Sequence, residues 1–528
     1  MAILGHIGTV YLAAAANATV WMEVTSCVLA GFGAGLTTLA AQAYGAKNYR
    51  LVGLYVQLSI VWSTLFNLPL IGLWMLTTPV LKLINVNHEE AVLGGEYAMW
   101  SSLRLIPFTL FLILQCYLQV LGITTPTMVV SFVGLGLNIG LNLLFVHGVG
   151  SWKGFGFVGA PISTALTRVI MIILLWLYAF RYRGYHRQTW GGWKLREALN
   201  KERSKRYLCT QVLPLSLGLC FEEWQIQIIT IFAAQLGRVQ VATHNAIISC
   251  FFVLTSFMWG TTAAVRVRIA HYLGANAPNR SKRVTRFGLM AATGFGVAVA
   301  MFLILSRQVL SKVFSDDPEV WRQASSVQTF VGVTYLALSL FYIAMATLDG
   351  QARPVPVAVA FLLGAWGTGV PLAYVFAFEL NLKLLGLWYG MAIGYLVVTI
   401  IVSVIVLWSD WPALALRARQ LAEHTQQMQD QEEQRQDAIV LDVLVQPSDA
   451  EQTLPKGSDD ALLDVDLDKS TEVQLRESTT NAASPMLRED VSLLTADIVP
   501  DSSDGSISLS SPSLSSSSIS STSTPTRF

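Results

Sequence analysis

The sequence predicts an all-α polytopic membrane protein, made of two parallel six-helix bundles and a disordered C-terminal tail. Three observations support this fold class. Hydrophobic residues make up 53% of the chain and charged residues 13%, with a mean hydropathy of +0.51, whereas soluble domains carry about 25% charged residues. Eleven apolar runs are long enough to cross a bilayer, which takes about 20 residues. Finally, the second half of the chain repeats the pattern of the first half.

The repeat is visible in matching residues of the two halves. The sequence GAKN at 45–48 follows one apolar run and GANA at 274–277 follows another, which sets the offset between the halves at 229. Leu348 matches Leu118, and Gly364 matches Gly134, each at an offset of 230. A doubled unit of hydrophobic helices is typical of secondary transporters, whose halves rock around a central site.

The apolar runs, in chain order, cover about 11–43, 53–80, 92–120, 127–148, 158–180, 208–235, 241–272, 285–312, 326–347, 354–378 and 384–408. Five belong to the first repeat and six to the second. Shifted back by the repeat offset, the span at 208–235 has a partner that falls mostly before Met1, so only its last turn is expected, at 1–6. We therefore expect a natural unit of six plus six helices with most of the first helix missing here. No signal peptide pattern is visible.

These spans divide the chain into five predicted regions. They are an N-terminal bundle at 1–182, an inter-bundle loop at 183–207, a C-terminal bundle at 208–410, an amphipathic helix at 411–445 and a Ser- and Asp-rich tail at 446–528. The tail is too polar to bury apolar area that would offset its ordering entropy, so disorder is expected. Glu489 with Leu493-Leu494, and Asp459 with Leu462-Leu463, have the spacing of acidic dileucine sorting signals.

Basic residues cluster in alternate loops, at 47–50, 181–206, 280–286 and 417–419. The positive-inside rule assigns these loops and the C-terminus to the cytoplasm. The plasma membrane and a vacuolar or endosomal membrane both remain open as locations.

Carboxylates inside spans are costly and therefore mark candidate sites. Glu222 and Glu223 lie mid-span as neighbours, about 100° apart around a helix, so they are not expected to share one face. Glu223 and Gln227 do share a stripe. A desolvated carboxyl group exchanges protons and, once ionised, attracts a cation, and Trp224 offers a ring face to the same cation. The alternative is a neutral carboxyl group hydrogen-bonded inside the bundle.

Further candidates for the cavity are less specific. Glu23 lies in the first complete span, and either lines the cavity or sits at its outer mouth. Asn138 and Asn142 recur one turn apart on one helical face, and suit either an ion or an interhelical hydrogen bond. His244 and Asn245 begin a later span. Arg266 and Arg268, at the end of that span, are expected to reach lipid headgroups.

No enzyme motif is present: the sequence lacks GxxxxGK[ST], HExxH and GxSxG, and it has no metal-spaced Cys/His cluster. The five cysteines are scattered singly, without disulfide spacing, and are interpreted as small buried hydrophobes. Neither a catalytic residue nor a metal site nor a resident cofactor is predicted, and the expected coupling ion is a proton or sodium.

Four segments together resemble the multidrug and toxic compound extrusion (MATE) family of antiporters, eukaryotic type. They are residues 42–49 (QAYGAKNY), 117–126 (YLQVLGITTP), 220–224 (CFEEW) and 267–268 with 273–276 (VR and LGAN). The resemblance covers about residues 1–410 and implies a V-shaped pair of six-helix bundles. It also implies that Glu222 matches the seventh-helix Glu of eukaryotic members, a proton and cation site.

The chain departs from the family pattern at several acidic positions. A second acid on the seventh helix appears as Gln227, and the acidic positions on the next and tenth helices fall at Ser249 and near Leu338. Prokaryotic members with a first-half site pair an Asn with an Asp one turn later, where this chain has Asn138 and Asn142. These departures favour Glu222, with Glu223, as the coupling acid.

The sequence thus predicts a proton-coupled antiporter that exports organic cations, xenobiotics, amphiphiles or metabolites by alternating access. Its expected partners are a small molecule and membrane lipid, without nucleic acid, and it is expected to be a monomer. Two alternatives remain: an organic-anion exporter or lipid-linked sugar flippase of the same superfamily, and a non-transporting scaffold or sensor.

Overall fold

The computed structural model describes residues 2–5, 7–314 and 318–445, and residues up to 444 form one compact unit. Within this described part the chain is helical and contains no strand. The predicted disordered tail from 446 onward and its two dileucine patterns lie outside the described residues.

The first half of the chain begins with a single helical turn and continues through long apolar helices. Its helices are α1 (Ala2–Gly5), α2 (Thr9–Ser26), α3 (Val28–Gly45), α4 (Tyr49–Met75), α5 (Thr77–Leu83), α6 (His88–Ser101), α7 (Leu105–Val120), α8 (Thr125–His147) and α9 (Gly159–Trp176). Asn48 caps α4, because its side chain accepts a hydrogen bond from the Leu51 amide at 3.0 Å.

A connecting region precedes the second half. It contains the π-helical turn Leu177–Tyr182, then α10 (Leu195–Ala198), α11 (Lys201–Lys205) and a π-helical turn at Arg206–Val212. The second half follows as α12 (Leu213–Gln235), α13 (Arg238–Gly274), α14 (Pro278–Phe314), α15 (Pro318–Gly350), α16 (Val355–Phe361), α17 (Val370–Tyr374), α18 (Lys383–Leu407) and α19 (Trp411–Val445). Two π-helical segments, Leu362–Gly369 and Val375–Glu379, flank α17.

Ten helical stretches among the described residues are long and apolar enough to cross a membrane. They match ten of the eleven predicted spans, and the predicted run at 11–43 is the stretch Thr9–Gly45, formed by α2 and α3. The eleventh, α12, is 23 residues long but is not among the ten. Its two glutamates and the glutamines at 225 and 227 make it less apolar than the other ten, and it is the helix that covers the eleventh predicted span at 208–235.

The two repeats have the same backbone geometry where their sequences match. Thr9–Gly45 and Arg238–Gly274 are both 37 residues long, and each follows a glycine, Gly8 or Gly237. Past their ends, the matched residues Lys47 and Asn276 have φ 64° and φ 52°. Both residues therefore adopt the left-handed conformation that ends a helix, so the repeat is structural as well as sequential.

Two large apolar cores correspond to the two halves. One is formed by residues between Phe32 and Val212 together with Val267 and Ala270, and the other by residues between Ile229 and Ala418. The helix α12 connects them, because Val212 just before it packs in the first core and Ile229 near its end packs in the second.

The two bundles contact each other where α3 ends at Gly45 and α13 ends at Gly274, and each helix end packs against the backbone of the other. A methyl group added at Gly45 would collide with the backbone carbonyl of His271, and one added at Gly274 would collide with that of Gln42. These four residues are related by the same repeat offset, so the contact has approximate two-fold symmetry. Glycine is needed at both positions because the backbones approach too closely for a Cβ atom.

The loop at 47–50 contacts both the inter-bundle region and the helix α19. Arg50 pairs with Glu197 of the inter-bundle region at 3.1 Å, and Asn48 donates to the Ala422 carbonyl of α19 at 3.4 Å. On α19, Ala415, Ala418 and Ala422 are buried. The helix therefore packs against the end of the bundles that carries the 45–48 turn.

Candidate transport site

A cavity of about 450 Å³ lies between the two halves. From the first half, α3 and α7 contribute small and neutral polar side chains, including Thr37, Gln115 and Gln119. From the second half, α12, α13 and α15 contribute the charged and aromatic lining, which comprises Glu222, Glu223, Phe251, Phe252, Trp259, Arg266 and Tyr342. The cavity is therefore asymmetric in charge, with its ionisable groups on the second half.

Glu222 is held by two tyrosines from different helices. Its Oε1 atom accepts a hydrogen bond from the hydroxyl of Tyr342 on α15 at 2.9 Å and another from Tyr395 on α18 at 3.4 Å. Both tyrosines are buried. A well-formed hydrogen bond to an ionised group contributes about 1.5–3 kcal/mol. The 2.9 Å bond from Tyr342 is of this kind, whereas the 3.4 Å bond from Tyr395 is long and therefore weaker.

Glu223 lines the same cavity as Glu222, although neighbouring helical residues point about 100° apart. The two carboxylates were not expected to share one helical face, and the cavity is wide enough to reach both of them. Gln227 donates to Oε1 of Glu223 at 2.9 Å, which confirms the predicted stripe. Gln227 itself does not line this cavity, and its role in the site is to hydrogen-bond Glu223.

Arg266 and Asp349 form a buried ion pair that sequence reasoning missed. Arg266 Nε lies 3.5 Å from Asp349 Oδ2, and the two side chains are 14% and 1% exposed. Arg266 also lines the cavity, so its predicted contact with lipid headgroups is wrong, whereas Arg268 is exposed. The sequence did contain a signal for this ion pair, because Asp349 lies at the end of an apolar span. A buried Asp requires a cationic partner.

Two other predicted cavity residues belong to the contact between α2 and α12. Trp224 Nε1 donates to the Val24 carbonyl at 2.9 Å, and this side chain does not line the cavity. Its ring is therefore committed to packing and not to a substrate. Glu23 is exposed, and its charge interacts with those of Glu223 and Arg104. Glu23 is not part of the cavity lining, so the first predicted alternative is not met.

The asparagine pair on α8 lies away from this cavity. The Asn138 amide is 3.4 Å from Thr164 Oγ1 and 3.5 Å from Thr167 Oγ1, both on α9. Asn142 donates to the Asn138 carbonyl at 2.8 Å. The two predicted roles were an ion site and interhelical hydrogen bonding. The structure shows the second, together with a hydrogen bond within α8.

His244 and Asn245 are also separate from the cavity. His244 is buried, lies 3.1 Å through Nε2 from Thr230 Oγ1, and packs on the Trp388 ring with centroids 5.6 Å apart. Asn245 is exposed. The histidine thus joins α12, α13 and α18 inside the second bundle.

A metal centre is not suggested by the described part of the chain, in which no three His, Cys, Asp or Glu side chains cluster as a metal would need. What the cavity does combine is two carboxylates, one paired arginine and several aromatic rings. This set can bind a proton or a cationic group, and it can surround an apolar one.

Two bundles of membrane helices that meet around a carboxylate-lined cavity define the class of secondary transporters. The comparisons with known proteins agree. The family model MatE matches residues 1–144 and 214–375, more than half of the chain. The chain therefore belongs to the MatE family, a family of multidrug and toxic compound efflux transporters.

Curated relatives and solved structures support this assignment. An uncharacterized transporter of Schizosaccharomyces pombe is 28% identical over 75% of this chain and 72% of its own length. Protein DETOXIFICATION 52 of Arabidopsis thaliana is 25% identical over 80% of this chain and 82% of its own. The crystal structure of the eukaryotic MATE transporter AtDTX14 superposes with a TM-score of 0.72 at 23% identity, covering 79% of this chain and 92% of that one. This last similarity shows the shared fold.

Proposed function

We propose that this transporter exports organic cations, xenobiotics or amphiphilic metabolites in exchange for protons, and that Glu222 is the coupling carboxylate. The observation that carries the proposal is the position of Glu222. It lines the cavity between the two halves and is bonded by tyrosines from two other helices of the second bundle. The relatives named DETOXIFICATION also support an efflux role.

Proton and cation exclude one another at such a site. Two unit charges 4 Å apart attract by about 4 kcal/mol at an effective dielectric constant of 20, and protonation of Glu222 removes this attraction. The loss corresponds to about a thousandfold weaker binding, whereas a gradient of one pH unit supplies about 1.4 kcal/mol per proton. Protonation from the acidic side would therefore release the cation, and deprotonation on the other side would restore the site.

The remaining lining suits an amphiphilic cation. Phe251, Phe252 and Trp259 present aromatic rings to the cavity, and a cation over such a ring gains about 0.5–2 kcal/mol. Glu223 supplies a second carboxyl group, whose Oε1 atom accepts a hydrogen bond from Gln227. The pairing of Arg266 with Asp349 limits the repulsion that the arginine exerts on a cationic substrate.

The membrane and the sidedness belong to the proposal as well. The basic end of the molecule, with α19, is assigned to the cytoplasm by the positive-inside rule. Export would then proceed across the plasma membrane, or into a vacuolar or endosomal lumen. A proton is the preferred coupling ion, with sodium as the alternative, and a monomer contains the whole cavity.

The test is the Glu222→Gln variant in proteoliposomes loaded with a fluorescent organic cation. We expect pH-driven exchange to fall at least a hundredfold, because the amide neither binds a proton nor attracts a cation. Glu96→Gln is the matched control, since Glu96 is exposed on α6 and does not line the cavity. Unchanged exchange by a folded Glu222→Gln variant would remove Glu222 from the mechanism.

Arg266 favours a second candidate function, the export of organic anions or zwitterions. It is a cationic side chain in the cavity lining, and a carboxylate substrate could compete with Asp349 for it. The same proteoliposomes loaded with a dicarboxylate or an amino acid distinguish the two. Exchange of anions but not of cations would favour this candidate.

A further inference from the structure

We propose that Cys27 and Cys220 are a disulfide-forming pair that ties the helix α12, which carries Glu222, to the first bundle. Their Sγ atoms lie 2.7 Å apart although the residues are 193 positions apart in sequence. This proximity corrects the interpretation of the cysteines as isolated hydrophobes. A disulfide bond of about 2.05 Å would therefore require the two Sγ atoms to move only slightly closer together.

The two thiols are held in place by contacts on either side. One turn before Cys220, Ser216 Oγ donates to the Val28 carbonyl at 2.8 Å. One turn after it, Trp224 Nε1 donates to the Val24 carbonyl at 2.9 Å. Residues 216, 220 and 224 form one stripe of α12, and this stripe faces the junction of α2 and α3 throughout. The thiols therefore meet inside a fixed helix–helix contact, not at a mobile surface.

The cavity gives one of the two thiols access to reagents in water. Cys27 lines the cavity, whereas Cys220 is buried and does not. A small disulfide such as oxidised glutathione would thus react first at Cys27. The thiolate of Cys27 attacks one sulfur, forms a mixed disulfide and releases one glutathione thiol. Cys220 then attacks the Cys27 sulfur and releases the second.

The reaction balances without any other reagent. The two cysteine thiols lose two protons and two electrons and form one disulfide bond, and oxidised glutathione gains them and becomes two glutathione thiols. A thiol reductant reverses both steps. The bond would fix α12 just before Glu222, so it would restrain the helix that carries the coupling carboxylate.

The consequence for transport rests on the proposed function, in which access to the cavity alternates. The halves of a secondary transporter must move relative to each other, and a covalent link between α2–α3 and α12 opposes that motion. We expect oxidation to reduce exchange at least tenfold and a dithiol reductant to restore it. Cys27→Ser can form neither the disulfide nor a mixed disulfide at the cavity, so it should keep its own exchange rate under oxidant.

The experiment uses the full chain in proteoliposomes treated with oxidised glutathione, read by mass spectrometry of non-reduced peptides and by exchange. A peptide joining Cys27 to Cys220 is expected, and Cys220→Ala should instead trap one glutathione on Cys27. Cys250→Ser is the matched control and should stay sensitive to oxidant, because Cys250 is half-buried on α13 and outside the cavity lining.

Two results would overturn the proposal. One is the absence of the joined peptide when the exposed Cys209 is fully glutathionylated in the same sample. The other is a complete cross-link that leaves exchange unchanged, which would refute the restraint on transport. The mass measurement does not need transport, so a protein that forms the bond but exchanges no cation in either redox state would count against the proposed function and not against the pair.

Discussion

The two repeats differ most where they face the cavity. Thr37 of the first repeat matches Arg266 of the second at an offset of 229, and Gln119 matches Asp349 at an offset of 230. The first repeat thus offers neutral polar groups at the positions where the second holds a buried ion pair. The helix ends that close the two bundles are nearly identical by contrast. At these matched positions the packing surface is shared by the two repeats, while the ion pair belongs to the second repeat.

The ion pair gives the largest predicted effect. Asp349→Gln leaves Arg266 without a counter-charge in a buried position, and removing one partner of a buried pair costs about 3 kcal/mol or more. The expected result is a markedly lower thermal unfolding midpoint in detergent micelles.

A double variant sharpens this comparison of the repeats. Changing Arg266→Thr together with Asp349→Gln copies the first repeat into the second, and it should recover at least half of the stability lost in the single variant. Strict additivity of the single changes would contradict an energetic coupling between the two residues.

The shared helix ends predict equal effects in both halves. Gly45→Ala and Gly274→Ala each push a methyl group into a carbonyl of the opposite bundle. We expect both to slow exchange about tenfold, equivalent to about 1.4 kcal/mol on the barrier. Gly136→Ala is the control, since an added methyl group there meets nothing within 4 Å. A large effect from one glycine alone would show that the contact is not symmetric in function.

The smallest effect is expected from the asparagines of the first repeat. Asn138→Ala removes hydrogen bonds of 3.4 and 3.5 Å to α9, which are long and therefore weak. Exchange should change less than twofold in the fluorescent-cation assay. A tenfold loss would instead indicate a second transport site in the first bundle, and the charge asymmetry between the repeats would then lose its functional meaning.

The sequence predicted the architecture well because that information is local or periodic. Apolar runs of bilayer-spanning length identify membrane helices without knowledge of their neighbours, and the matching GAKN and GANA turns identify the duplication directly. The predicted span at 208–235 is the helix α12, which is too polar to be among the ten stretches that hydropathy identifies. A helix that packs partly against protein and a cavity does not need the lipid-like composition on which such counts depend.

The candidate site was predicted only in part. Glu222 and Glu223 stood out because an ionisable group within an apolar run is costly wherever it packs. Tyr342 and Tyr395, which bond Glu222, gave no such signal, since tyrosine is common in membrane helices. Trp224 was assigned to the cavity because it adjoins the two glutamates in sequence, and Asn142 because it lies one turn from Asn138. Neither relation tells which neighbour a helical face meets.

What the sequence alone determined is the set of helices, their duplication and the presence of two carboxylates in an apolar run, because hydropathy and helical period act along the chain. Only the tertiary structure decided which side chains meet. It brought Tyr342 and Tyr395 to Glu222, Asp349 to Arg266 and Cys27 to Cys220, in each case from a different helix. Such encounters depend on how helices cross and rotate in three dimensions, and the packing of whole faces fixes both.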